Sequence, residues 1–467
     1  MRVNNAHWAY DLGKRRSGEY QHHDAAIEAI HTRRRRPAQP LQTRAARVGY
    51  HAGVASAGDR MKVLFISPHF PAQMQQFTRG LAEVGAQVYG VSDAPPGQLP
   101  SQVREHLHDY LQVPSLLDED DATRRIVEAA RRLGPDRVEC LWEPCVVLAA
   151  RVRQALGVPG MDAHTAVGFR DKPIMKQRVL AAGLRVPRFS RIRTRAEAYE
   201  AAAEIGYPVC VKPIAGAGAT DTYRVGDPEE LRAVLDSVHH HDEINLEEFV
   251  EGEEFTYDTL CVDGEPVFES VAQYHPRPLE SRRCSWISPA QIVIRDPYQP
   301  ALMPGIQLGR KVLRALGMTT GFSHMEWYKR PDGEAVFGEI AARSPGGKLV
   351  DQICYANEID LYREWARVVC WHSIGATPQR RYHVGALFKR ADGEGCVVRV
   401  DGLAELRAHL GPALLEAEAL PLGHPRHDWR VSRRSDGHVL VRHPDHDTCM
   451  EMLRFSLETL RIHASPR

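Results

Sequence analysis

This sequence predicts an α/β protein whose amino-terminal part is built on a parallel sheet and which then passes into α+β architecture with longer antiparallel strands. Three observations carry the prediction. From Met61 onward, short apolar runs alternate with helical segments, the pattern of βα units over a sheet covered on both faces. From about residue 165 the strand-like runs lengthen and are joined by tight turns, which is how antiparallel hairpins read. After residue 375 a shorter series, with GCVVRV and HVLVRH as strands, forms a small C-terminal α+β unit.

The first region, 61–160, reads KVLFIS, a helix over Gln73 to Val84, QVYGV, a helix over Ala122 to Leu133, RVECLW and a helix over Val146 to Leu156. The loop Ser67 to Pro71 follows the first strand, where open α/β sheets place their ligands. His69 in that loop stands equally as a ligand contact or as part of a Pro-defined turn. No G-x-G-x-x-G turn follows the strand, so dinucleotide binding has little support. The second region, 161–375, contains YPVCVKP, TYRV, a helix capped by Asp227 with Pro228 in its first turn, INLEEFV, EFTYDTLCV and PVFESVAQ. It ends in FSHMEWYKR and AVFGEIAAR, a hairpin around Pro331, Asp332 and Gly333.

Composition narrows the class further. The chain has 467 residues, 43% hydrophobic and 26% charged, with 60 basic and 60 acidic side chains, which fits a soluble protein of roughly two to four domains. Balanced charge removes the usual case for a nucleic-acid partner. No apolar run reaches the roughly 18 to 20 residues that span a bilayer, and no secretory leader is evident, so no membrane partner is expected and the chain reads as cytoplasmic. Residues 1–60 lack periodicity and hold the densest charge block, Arg33 to Arg36. They read as a disordered leader, or as an over-extended start before Met61, with a basic targeting or nucleic-acid arm as the alternative.

Nine cysteines without a C-x-x-C pair read as reduced thiols, Cys210 among them in a strand. His443, His446 and Cys449 approach a metal spacing, but Thr448 and Glu451 have capping-box spacing and favour a closing helix from Thr448 to Arg461. The run His239 to His241 lies between a helix and a strand and reads as a solvated connection.

Four groups of residues suggest chemistry. Lys212 ends a strand just before Pro213-Ile214-Ala215-Gly216-Ala217-Gly218-Ala219; such a lysine can place a cation on a phosphate while the loop backbone closes over its oxygens. Asp171-Lys172 heads a helix to Ala182 and supplies a second cation, although a first-turn lysine is usually only solvated. In INLEEFVEGEEF, Glu247, Glu248, Glu253 and Glu254 flank a turn. An acid here could accept ribose hydroxyls and the backbone from Glu248 to Val250 could read an adenine edge; the alternative is an acidic rim. Glu326 and Glu339 lie on the two strands of one hairpin. If they face the same side, the like charges call for a cation such as Mg²⁺ between them, as against a solvated hairpin.

In this order the pieces resemble the ATP-grasp superfamily, in particular the branch with biotin carboxylase, carbamoyl phosphate synthetase and amino-acid ligases. The resemblance runs from about residue 61 to the C-terminus and is clearest over 165–350. It implies a pre-ATP-grasp domain (61–160), an ATP-grasp domain (161–375) with a mobile lid at about 190–250, and a C-terminal subdomain (376–467). It also implies ATP with one or two Mg²⁺ or Mn²⁺ ions. Carried over by motif, Lys172 and Lys212 contact the phosphates and Gly216, Gly218 and Thr220 belong to the loop over the γ-phosphate. Glu247, Glu248, Phe249 and Val250 form the hinge beside adenine, and Glu254 binds ribose. Glu326 and Glu339 hold metal, and Arg343 steadies the reacting carboxyl group; Lys212 and Arg343 are the catalytic cations. One position departs from the pattern: the family reads Glu-x-Asn where this chain has Glu339-Ile340-Ala341. Alanine cannot coordinate, although water could fill in.

The reaction implied is attack of a substrate carboxylate on ATP, giving an acyl phosphate that an amine captures with release of ADP and phosphate. Small-molecule carboxylate and amine partners follow, and a homodimer is compatible with this reading. Bicarbonate activation is an alternative, and so is a degenerate module that binds nucleotide for regulation. The basic loop Arg277 to Arg283 could line a substrate site.

Overall fold

The run Val63 to Ile66 is buried throughout, as a parallel strand covered on both faces must be. It belongs to β1 (Lys62–Ile66), which pairs in parallel with β2 (Gln87–Ser92) and β4 (Arg137–Cys140), while β3 (Asp109–Gln112) extends the sheet beyond β2. The order β3-β2-β1-β4 reverses direction at β1. The loops after β1 and β4 therefore open onto one crevice at the carboxyl edge, the usual ligand side of such sheets. In the computed structural model the described residues are 60–466 apart from 216–220, 283 and 429–434. The leader expectation for 1–59 lies outside them, as do Gly216, Gly218 and Thr220 of the glycine loop.

Helix α1 (Met74–Glu83) buries Met74, Phe77 and Leu81. Phe77 meets Tyr362 and Trp365 of α3 (Leu361–Trp371) edge-on at 4.8 and 5.1 Å. At Gly80 the helices touch so closely that a Cβ would meet the Tyr362 carbonyl oxygen at 2.6 Å. This contact joins the parallel sheet to the rest of Met61–Arg467, which is one compact unit.

A smaller antiparallel sheet, β5 (Phe189–Ile192), β6 (Val209–Pro213), β7 (Tyr223–Val225) and β8 (Ile244–Glu248), runs in the order β5-β8-β6-β7. Two helices cover it: Arg195–Ile205 starts at a Thr194/Glu197 capping box, and Pro228–Ser237 is capped by Asp227 as expected. Val209, Val211, Leu231 and Leu246 give this layer its own core.

The large sheet takes β9 (Glu253–Val262), β10 (Glu265–His275), β11 (Ala290–Val293), β12 (Gly321–Lys329), β13 (Ala335–Ala341), β14 (His383–Lys389), β16 (Leu414–Ala419) and β17 (Gly437–His443). Its order is β13-β12-β9-β10-β11-β14-β17-β16, so strands from beyond residue 375 continue the sheet that carries Glu326 and Glu339. Near the C-terminus, α4 (His446–Thr459) is capped by Asp445, whose carboxylate accepts from the Thr448 amide. The sequence expectation of a helix beginning at Thr448 with a Glu451 capping box is thus corrected. Asp445 supplies the same acceptor one turn earlier. The helix ends at Thr459, and Arg461 opens β18 (Arg461–Ser465), paired with β15 (Cys396–Asp401). No helix among the described residues is long and apolar enough to cross a membrane.

Candidate functional site

A cavity of about 300 Å³ opens between the small sheet and the large one, lined by Lys172, Lys212, Phe249, Glu326, Glu339 and Arg343 among others. Sequence positions far apart converge here because β6 and β8 supply one wall and β9, β10, β12 and β13 the other.

Lys212 lies at the inner end of β6, ion-paired with Glu247 of β8. Glu247 also receives Lys176 Nζ at 2.9 Å and the Asn245 amide at 2.9 Å. Burial alone would raise the Glu247 pKa, but the charges of Lys176 and Lys212 outweigh it and hold the carboxyl at about 2. Burial likewise works against charge on Lys212, yet Glu247 raises its pKa well above the ordinary lysine value. The Glu247 side chain is thus the anchor of two lysines, while its backbone leads into the segment expected beside adenine. Lys176 was not singled out in the sequence, although it stands four residues after Lys172 and so shares a helix face with it.

Lys172 is the first residue of α2 (Lys172–Ala181), whose N-cap Asp171 accepts from the Ile174 amide. Its Nζ lies 3.4 Å from Glu339 Oε2. Glu339 on β13 stands directly opposite Glu326 on β12, as the expected cation site requires. Between Glu326 and Trp327 the register slips by one residue, which leaves Gly338 as an extra residue on β13. Its missing side chain matters, since a Cβ there would meet the Glu326 carbonyl oxygen at 2.7 Å. Burial, then the nearby charges of Glu339 and Glu254, push the Glu326 carboxyl up to about 7. Glu339 is also opposed by burial, but Lys172 and Lys212 hold it below the ordinary glutamate value. A facing pair of half-buried oxygen donors whose charges repel is a donor set that suits a hard divalent cation.

Arg343 follows β13 and places Nε and Nη2 on Glu143 Oε2 at 2.8 and 2.7 Å, with Arg170 on the other Glu143 oxygen at 3.2 Å. Glu143 sits just past β4, at the switch point of the parallel sheet, and Gln73 of the same region donates to the Pro345 carbonyl at 2.9 Å. The parallel sheet therefore positions the arginine of the cavity. Glu143 went unread in the sequence, and the one available signal was its place after a strand at the reversal of strand order. His69 does not reach the cavity; its Nδ1 is buried without a partner, and burial lowers its pKa.

At the other end, Glu248 pairs with Arg185 at 2.8 Å, while Phe249 and Val250 line the wall. Glu254 is buried and accepts from Arg277 Nε at 3.0 Å; Arg277 also donates to the Val250 carbonyl at 2.8 Å and lies over the rings of Phe249 and Tyr328. The basic loop thus sends Arg277 to the expected nucleotide end, while Arg282 also lines the cavity and Arg283 lies outside the described residues. Elsewhere, Asp221, His240 and His241 are, among the described residues, the one group of three with ligand atoms within 4.8 Å of one another. The histidine run is therefore tied to a carboxylate, with Nε2 atoms 3.3 and 3.1 Å from Asp221 Oδ2. Cys449 points inward, its thiol 3.7 Å from the His383 carbonyl.

Two antiparallel layers closing on a cavity with phosphate-type cations on one wall and paired acids on the other define an ATP-grasp fold. Residues 205–352 match the ATP-grasp domain family, and the chain carries an ATP-grasp domain. It is 25% identical over 265 residues to an L-arginine-specific L-amino acid ligase from Bacillus subtilis, covering 55% of this chain and 63% of that one, which is under two thirds of the relative's length. The crystal structure of an L-amino acid ligase from Bacillus licheniformis superposes with a TM-score of 0.70 at 20% identity, covering 87% of this chain and all (100%) of that one. The biotin carboxylase domain of a Hydrogenobacter thermophilus 2-oxoglutarate carboxylase, solved with MgADP and bicarbonate, gives 0.61 at 17% identity over 87% of this chain and 91% of its own.

Proposed function

We propose that this chain is an ATP-dependent ligase that phosphorylates a substrate carboxylate and passes the acyl group to an amine, forming a carbon–nitrogen bond with release of ADP and phosphate. The observation that carries the reading is the convergence of Lys172, Lys212 and Arg343 with the Glu326/Glu339 pair in one cavity. The L-amino acid ligases among its relatives support an amino acid as one substrate.

In this reading Phe249 and Val250 flank the adenine, Glu254 exchanges Arg277 for ribose hydroxyls, and Lys172 and Lys212 hold the phosphate chain. Glu326 and Glu339 would hold Mg²⁺ or Mn²⁺, which shields the charge of the transferring phosphoryl group. Arg343 holds the attacking carboxylate and then the acyl phosphate oxygens. No enzyme nucleophile is needed, because positioning and charge neutralisation supply the catalysis. The layer at about 190–250 closes over the nucleotide and keeps water from the acyl phosphate.

Purified protein with MgATP and paired amino acids is expected to release phosphate and yield a peptide-bonded product. Turnover driven by bicarbonate without an amine would instead establish a carboxylase. The observation favouring a regulatory nucleotide-binding module is Ala341, which removes one neutral oxygen ligand; ATP binding without ADP formation across pooled metabolites would establish that module. A further prediction concerns Glu143: Glu143→Gln frees the Arg343 guanidinium from its anchoring charge and is expected to lower kcat at least about tenfold. Steady-state kinetics at saturating ATP check it, and an unchanged kcat would remove Glu143 from the machinery.

A further inference from the structure

His324 stands two residues before Glu326 on β12, so the two side chains leave the same face of the strand. Across the ladder its partner is Ala341, a methyl group with nothing to offer a ligand. His324 is 8% exposed and lines the cavity. Its Nδ1 lies 2.6 Å from Asp258 Oδ1, and Thr256 Oγ1 donates to the other Asp258 oxygen at 2.6 Å. All three are buried, with Asp258 1% and Thr256 0% exposed.

This arrangement fixes the ring. A carboxylate whose other oxygen already accepts from threonine can only accept again, so the Nδ1 atom carries the proton and donates it to Asp258. Nε2 then presents its lone pair toward Glu326 Oε1, 3.9 Å away. That is too long for a hydrogen bond; Tyr274 Oη donates to the same Glu326 oxygen at 3.2 Å, while the Nε2 lone pair faces the carboxylate along the cavity wall. A carboxylate that accepts from Nδ1 while Nε2 faces the metal is the usual way a metal-ligating imidazole is oriented.

We propose that His324 Nε2 is a direct ligand of the divalent cation shared with Glu326, filling the coordination position that Ala341 cannot, with Asp258 and Thr256 orienting the ring. The His324, Glu326 and Glu339 ligand atoms lie outside the 4.8 Å spacing of a closed three-ligand group. The cation therefore draws its remaining oxygens from nucleotide and water. A nitrogen donor shifts preference from Mg²⁺ toward Mn²⁺. The inference rests on the reading of this cavity as the metal–nucleotide site.

The test uses the full chain with one equivalent of Mn²⁺ and ADP, in a His240→Ala/His241→Ala background that removes the Asp221 group. Calorimetry reads binding, and electron spin-echo envelope modulation reads nitrogen bonded to manganese. We expect a ¹⁴N modulation that is replaced on ¹⁵N-histidine labelling, a comparison that needs no change at His324. In His324→Gln the histidine signal is expected to vanish and Mn²⁺–ADP affinity to fall by about tenfold. Mn²⁺ and ADP binding without a histidine nitrogen overturns the ligand assignment while leaving the nucleotide site standing, and so does a signal that survives His324→Gln. Failure of Mn²⁺ and ADP to bind at all overturns the site reading and this inference with it.

Discussion

Glu339→Gln is expected to reduce turnover by about 10²- to 10³-fold while leaving the fold intact. The glutamate faces Glu326 across the proposed cation position and lies 3.4 Å from Lys172, and Lys172 and Lys212 hold its carboxyl below the ordinary value against the effect of burial. Its amide isostere keeps the shape but removes the charge that would hold a divalent ion against the phosphates. Stability should fall slightly, since the substitution takes a counter-charge from Lys172, a loss that the relief of repulsion with Glu326 only partly offsets. Phosphate release at saturating ATP, beside thermal melts of both proteins, reads the two effects separately. Activity within twofold of the parent would remove Glu339 from the metal site.

The largest stability effect is expected at Glu247. Its carboxylate is shared by Lys176 and Lys212, and all three side chains are buried. Breaking a buried pair by removing one partner costs about 3–5 kcal/mol, because the lysines keep their desolvation and lose their counter-charge. Glu247→Gln should therefore lower the melting temperature by roughly 6–10 °C near neutral pH. The pH dependence has a definite sign. The folded Glu247 carboxyl is held at about 2, below its ordinary value of about 4.3, so its contribution is present in full above the ordinary value and is lost as pH falls toward 2. The gap between the melting curves of parent and variant should narrow across that interval. A gap that stays constant down to pH 2 would count against the ionised glutamate as the source of the stabilisation.

Much of this was legible locally. Lys212 before its small-residue loop, Lys172 behind the Asp171 cap and the acids of the β12–β13 hairpin could each be placed on an element from propensity and turn chemistry. The helix start at Asp445 was misplaced because Asp445 and Thr448 are both good caps, and only the hydrogen bond from the Thr448 amide chooses between them. Glu143 and Arg343, and likewise Asp258 and His324, are partners far apart in the chain. Each looks like an ordinary polar residue until the fold brings the other beside it.

The hairpin acids show best where the division falls. The sequence by itself determined that two glutamates flank one turn, that a glycine precedes the second, and that lysines and an arginine occur in the order an ATP-grasp domain needs. It did not settle which face Glu339 takes. Side chains alternate along a strand, so a slip of one residue turns a strand over. In the register that the turn end of the hairpin imposes, with Trp327 opposite Phe337, an unbroken ladder would set Glu326 opposite Gly338 and turn Glu339 to the other face. The extra residue at Gly338 restores the pairing, and only the packed sheet, with no room for a side chain beside the Glu326 carbonyl, makes that choice. The same packing sets His324 over Ala341 and Glu143 against Arg343, because burial and charge act on neighbours in space, which the order of residues alone does not specify.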